Sequence, residues 1–232
     1  MKKPSSKLIV ALDFPDMQSA QNLVEKIGDE VSFYKIGLEL LMSGDYFKMI
    51  DWLAKKNKKV FADLKLYDIS ATVGKAVKNL SNYSNIHFLT IHAASLGIMQ
   101  AAAENKGDIN LLAVTVLTNL ENQDLKQMGF DANLSLEDLV IKKALLAQQA
   151  GIDGVVSSGL EAKNIRANLG DDFQIVTPGI RLNKIARDDQ KRVVDVKEAL
   201  HNGANYIVVG RPINQASDPK KAAEEFQNQI ED

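Results

Sequence analysis

The chain has 232 residues, 45% apolar and 25% charged, with five prolines and no low-complexity tract, a composition that excludes extended disorder and a length that predicts one domain spanning 1–232. The absence of cysteine excludes disulfides, thiolate metal sites and cysteine nucleophiles, and fits a reducing, cytoplasmic setting. Lys and Arg number 28 against 30 Asp and Glu, a formal charge of −2, so neither nucleic acid nor an anionic membrane is an expected partner and any anionic ligand has to be caught by local charge.

The first apolar run, 8–12, is too short for a signal-peptide core and ends at Asp13. No segment approaches the 18 apolar residues of a membrane span. The run instead opens a pattern of short, β-branched apolar stretches, at 8–12, 33–36, 60–64, 86–91, 111–117, 154–156, 174–176 and 206–209. Near-continuous apolar runs of this kind are what buried parallel strands need. Helical periods fall between them. Ala20, Leu23, Val24 and Ile27 are spaced for one buried face, and so are Tyr46, Met49, Ile50 and Leu53. Ser135 stands three residues before Asp138 in a capping-box spacing, and Asp218 precedes Pro219 as a helix start.

Eight βα units of about 29 residues each predict a closed (β/α)8 TIM barrel. An open doubly wound sheet is the competing arrangement, but it usually carries a glycine-rich first turn, and residues 11–15 contain no glycine.

Barrel active sites lie at the C-terminal ends of the strands, and those ends are unusually charged here. Asp13 closes strand 1, Lys35 lies in strand 2, Asp63 and Lys65 end strand 3, and His92 ends strand 4. Thr118 follows strand 5, Arg181 follows strand 7 and Arg211 follows strand 8. Strand alternation places Asp63 and Lys65 on one face. They form either a structural ion pair or part of a site for a charged substrate. Since buried pairs stabilise weakly, a third charge at Lys35 favours the site. Each residue also has a plainer role open to it: Asp13 as a helix cap, although Asp16 is better placed; Lys35 pointing outward; Asp68 as an N-cap with Thr72 one turn on; His92 as a core histidine. Pro178-Gly179-Ile180-Arg181 and Gly210-Arg211 set a glycine beside an arginine after strands 7 and 8, where barrels often bind phosphate. No Walker, dinucleotide-binding, zinc-protease or nucleophile-elbow motif is present. The residues by themselves thus reach an enzyme that uses Lys and Asp on a phosphorylated small molecule.

Taken together they resemble the orotidine 5′-phosphate decarboxylase family nearly end to end. The matching stretches are Ala11-Leu12-Asp13, Tyr34-Lys35-Ile36-Gly37, the Asp63-x-Lys65-x-x-Asp68-Ile69 block with Thr72, and Ile91-His92-Ala93. They continue with Thr115-Val116-Leu117-Thr118, Pro178-Gly179-Ile180-Arg181, Asp189-Gln190-Lys191-Arg192 and Val208-Val209-Gly210-Arg211-Pro212-Ile213. The resemblance implies decarboxylation of orotidine 5′-monophosphate to uridine 5′-monophosphate in pyrimidine synthesis, with no cofactor and no metal. In that scheme Lys65 protonates the C6 carbanion, and Asp63 keeps Lys65 charged and oriented. Lys35 and Asp13 contact the ribose, and Asp68 with Thr72 enters from the other subunit of a homodimer. Arg211, Gln190 and Gly210 hold the phosphate, and Arg181 belongs to the loop over the ligand. Ile69, Thr118, Asn119 and Pro178 complete the substrate surroundings.

Two features depart from the family pattern: Asn119 stands where a serine is usual, and the loop from Leu182 to Asp189 lacks the usual Pro and Gly, so different closing kinetics are expected. The nearest alternative resembles 3-keto-gulonate 6-phosphate decarboxylase, which needs Mg2+ and a strand 2 glutamate; here that position is Lys35. A non-catalytic barrel that binds a phosphorylated ligand is the other.

Overall fold

The eight apolar runs form eight strands in a computed structural model that describes residues 5–182 and 194–231. They are β1 (Leu8–Ala11), β2 (Phe33–Gly37), β3 (Lys59–Leu66), β4 (Ile86–His92), β5 (Asn110–Val114), β6 (Gly154–Val156), β7 (Gln174–Thr177) and β8 (Tyr206–Val209). All neighbours pair in parallel and β8 pairs with β1, closing the barrel in sequence order. Closure rules out the open sheet.

Alternation along each strand divides the apolar residues into two sets. Ile9, Ala11, Phe33, Phe61, Phe88, Leu112, Val176 and Val208 form one buried cluster inside the barrel. Leu8, Val10, Tyr34, Ile36, Val60, Ala62, Leu89 and Ile91 belong to the larger cluster between strands and helices. The helices bury the expected faces: Ala20, Leu23, Val24 and Ile27 from Met17–Ile27, and Tyr46, Met49, Ile50 and Leu53 from Tyr46–Lys55. Three helix starts are capped as the spacing predicts. Asp16, and not Asp13, accepts the Ser19 N–H at 2.8 Å. Ser135 accepts from Asp138 N–H at 3.0 Å, and Asp218 from Lys221 N–H at 3.1 Å. Among the described residues no helix is long and apolar enough to cross a membrane.

The fifth strand is shorter than expected. It ends at Val114, paired with His92 on one side and Val156 on the other. Beyond Val156 the β6 edge offers no partner, so Thr115 to Thr118 leave the sheet, with Val116 still buried and Leu117 exposed. At the opposite rim, Gly154 has a steric reason: a Cβ there would overlap the Gln174 carbonyl of β7. Polar staples tie this rim together. The Arg166 guanidinium donates to the carbonyls of Phe173 and Gly203, each at 2.8 Å, and to Asn205 Oδ1 at 2.7 Å.

The barrel floor also holds His87, the extra residue where β4 slips register against β3 between Val60 and Phe61. Its ring packs on Phe88, Phe33 and Tyr206, with centroids at 4.6, 5.4 and 6.4 Å. Burial, with the Lys59 charge, pushes its pKa from 6.5 to about 4. The unfolded chain therefore takes up a proton near pH 6.5 that the folded chain refuses until about pH 4, and stability is lost as pH falls through that window. Because the ring is only partly buried, the expected loss is about 1–2 kcal/mol rather than the full value of the shift. Denaturant melts at pH 7 and pH 4.5 check this, and His87→Phe should narrow the difference between them.

Candidate active site

The alternation that fills the barrel with apolar residues also determines what stands at its mouth. One step beyond the inner layer, Ile9 and Ala11 lead to Asp13, Phe33 leads to Lys35, and Phe61 leads to Asp63. Phe88 leads to Thr90, Leu112 to Val114, Val176 to Pro178 and Val208 to Gly210. These ends, except Thr90, line a cavity of about 350 Å³ together with Lys65, Thr118, Arg181 and Arg211.

Its floor is a line of alternating charge. Lys35 Nζ lies 2.8 Å from Asp13 Oδ1 and 3.5 Å from Asp63 Oδ2. The same Asp63 oxygen accepts from Lys65 Nζ at 2.8 Å. Lys35 thus points inward, with its side chain only 13% exposed, and not along the helix layer. Burial opposes its charge, but the carboxylates of Asp63 and Asp13 outweigh it and hold the ammonium above its usual pKa. Burial likewise opposes ionisation of Asp63. Lys35 and Lys65, with hydrogen bonds from Lys65 and Thr90, overcome it and hold the carboxyl below its usual range. Lys35 and Asp63 are therefore both charged at neutral pH, although both are largely removed from water.

Local backbone geometry brings Lys65 into this line. Ala62 pairs with Leu89 and Leu66 with Ile91, so three residues of β3 stand opposite Thr90 alone. The bulge is accommodated at Lys65, whose φ of 49° lies in the left-handed region, a conformation that costs a non-glycine residue on the order of 1–3 kcal/mol. Strain of this size is found where a side chain has to be aimed.

At the other side of the mouth, Gly179 takes a φ of 79° in the turn after β7. Arg181 N–H donates to the Val194 carbonyl at 3.2 Å, and its guanidinium reaches the Ile180 carbonyl at 2.9 Å. Arg211 begins a short helix, Arg211–Asn214, directly after Gly210. Asn214 Nδ2 ties that helix to the Ala11 carbonyl at 2.8 Å, which sets Arg211 above β1 and β8.

Four expected site residues do not line this chain's cavity: Asp68, Ile69, Thr72 and Asn119. Asp68 is also one residue too early to cap the helix Ser70–Leu80, whose N-cap is Ile69; its Oδ1 accepts the Ile69 N–H at 2.6 Å instead. Gln190 and the loop without Pro and Gly, beyond Leu182, lie outside the described residues. His92 packs beside the Tyr67 ring at 5.8 Å, and burial, with the Lys143 and Lys65 charges, lowers its pKa and keeps it neutral. Thr90, Asn214 and Gln215 were not expected from the sequence pattern. Thr90 alone had a signal there, as a polar residue in phase with the inward Phe88.

A family model described as the orotidine 5′-phosphate decarboxylase / HUMPS family matches residues 6–226. An orotidine 5′-phosphate decarboxylase of Methylococcus capsulatus is 52% identical over 229 residues, covering 98% of this chain and 93% of that relative. One from Xanthomonas euvesicatoria is 52% identical over 225 residues, covering 97% and 91%. The crystal structure of orotidine 5′-phosphate decarboxylase from Lactobacillus acidophilus superposes with a TM-score of 0.86 at 34% identity, over 98% of this chain and all of that one. With the closed barrel and its charged mouth, these matches lead to one conclusion: the chain belongs to the orotidine 5′-phosphate decarboxylase / HUMPS family.

Proposed function

We propose that the chain decarboxylates orotidine 5′-monophosphate to uridine 5′-monophosphate and CO2. The observation that carries this reading is the Asp13–Lys35–Asp63–Lys65 array, a fixed row of alternating charge on the floor of the cavity. The bond from C6 of the pyrimidine to the carboxylate breaks, CO2 leaves, and the electron pair stays on C6. Lys65 donates a proton from Nζ to that carbon and regains one from solvent. Asp63 holds Lys65 charged and aimed. A carboxylate about 4 Å from the substrate carboxylate raises the ground state by roughly 4 kcal/mol at an effective dielectric near 20, and the strain is relieved as CO2 departs. The Lys65 ammonium stabilises the charge that develops on C6. Lys35 and Asp13 bind the ribose hydroxyls, and Thr118, Asn119 and Pro178 surround the base. Arg211, Gly210 and Gln190 take the phosphate, with Arg181 above it. Phosphate binding energy then serves to assemble the charged site as well as to hold the ligand.

The active unit in this reading is a homodimer with shared sites, in which Asp68, Ile69 and Thr72 of one subunit complete the cavity of the other. Two features support it. Those residues sit outside their own cavity, and the segment that carries them exposes two large apolar side chains, Tyr67 at 69% and Ile69 at 70%. A neighbouring groove lined by Leu41, Phe47, Leu64, Leu66 and Tyr83 offers a second copy further apolar surface to cover.

Mixing the purified protein with orotidine 5′-monophosphate and following the ultraviolet spectrum tests the function. Conversion to uridine 5′-monophosphate that survives EDTA is the expected result. Conversion lost with EDTA would overturn the metal-free mechanism, and no conversion at all would point to the magnesium-dependent sugar-phosphate alternative, against which Lys35 already speaks as a cation that would repel the metal. Binding of the nucleotide without conversion would overturn the enzyme reading.

A further inference from the structure

Thr90 is fully buried in β4. Being in phase with Phe88, its side chain turns toward the barrel axis, one step above the apolar inner layer and beside Asp63. A hydroxyl there needs partners, because a buried polar group without them is costly. It has one for each capacity. Oγ1 donates to Asp63 Oδ1 at 2.9 Å and accepts the backbone N–H of Lys65 at 2.9 Å.

The pairing register explains this double contact. Asp63 and Lys65 are two inward residues facing the single inward residue of β4. The bulge removes the Lys65 N–H from the regular ladder, and the Thr90 hydroxyl takes it up instead. The same hydroxyl occupies the Asp63 oxygen that neither lysine uses, since Lys35 and Lys65 both approach Oδ2. One side chain therefore holds the left-handed backbone at Lys65 and the rotation of the Asp63 carboxylate together.

We propose that Thr90 is a positioning residue for the Asp63–Lys65 pair, its hydroxyl fixing the direction from which Lys65 presents its ammonium. Thr90 touches neither substrate nor reacting atoms and acts only through the pair. The kinetic part of the argument rests on the decarboxylase reading above; the geometric part does not.

Thr90→Val keeps the side-chain shape and removes the hydroxyl, whereas Thr90→Ser keeps the hydroxyl. In the Val variant kcat is expected to fall about 10- to 100-fold, as loss of a hydrogen bond to a charged group predicts, with KM changed by less than about threefold. The acid limb of its pH profile should move upward, because Asp63 loses a donor to its ionised form. Thr90→Ser should stay within about threefold of wild type. Carbon-13 NMR titration of the Asp63 carboxyl, without substrate, should show the same upward movement in the Val variant. That readout still judges Thr90 if the wild-type protein converts no orotidine 5′-monophosphate, in which case the decarboxylase reading fails separately. A folded Val variant with kcat within about twofold of wild type and an unmoved titration would overturn the proposal. Equal losses in Val and Ser would do so too, because the effect would then not follow the hydroxyl, which Ser keeps. Should the Val variant not fold, Thr90→Ala carries the same expectations, since it places nothing new in the core.

Discussion

Replacement of Lys65 by alanine is expected to lower kcat by about four orders of magnitude or more while the protein stays folded. A positioned general acid accounts for roughly 10²–10⁴ in rate. In the proposed function Lys65 also supplies the charge facing the C6 carbanion, and a single preorganised donor at a developing anion is worth about 10²–10³. The two roles belong to one group, so the factors overlap and do not simply multiply. Asp63 is the residue most disturbed by the change. It retains Lys35 at 3.5 Å and the Thr90 hydroxyl at 2.9 Å, so its carboxylate is not left buried and alone. Single-turnover assays beside circular dichroism melts measure both halves of the expectation. A variant that keeps more than about 1% of wild-type kcat would mean that another group delivers the proton.

The second large effect concerns the other end of the same sequence block. Asp68→Asn removes a negative charge that, in the proposed function, stands beside the departing carboxylate of the neighbouring site, and kcat is expected to fall by about 10³-fold or more. The informative experiment combines it with Lys65→Ala. When two such inactive chains are co-expressed, half of the dimers are mixed. Each mixed dimer has one site carrying both changes and one carrying neither. Activity should then return to about one quarter of wild type in a symmetric dimer with shared sites. Separately purified variants should remain silent. If co-expression restores nothing, Asp68 serves its own chain, and the exposed Tyr67 and Ile69 beside it need a different explanation.

Much of this architecture was legible in the residues alone. The alternation of short apolar runs with helical periods predicted the barrel, and the same alternation, continued one step past the inner layer, names Asp13, Lys35, Asp63 and Gly210 as mouth residues. Helix starts at Asp16, Ser135 and Asp218 followed from local capping chemistry, which needs only neighbours in sequence. The fifth strand ran shorter than its apolar stretch because strand length depends on pairing, and β6 ends at Val156. Asp68 illustrates the limit of spacing arguments: its position suggested a helix cap, yet the helix starts one residue later.

Periodicity, composition and the placement of charges at strand ends determined the fold class and the kind of chemistry by themselves, because the hydrophobic pattern repeats every two residues and every deviation from it is visible. Only the tertiary structure decided how the charges meet. The line from Asp13 through Lys35 and Asp63 to Lys65 crosses three strands, and its last member is aimed by a bulge that sets three residues of β3 against Thr90. Such a register shift arises between strands, out of the mismatch of two ladders, and leaves no mark in either strand's own alternation.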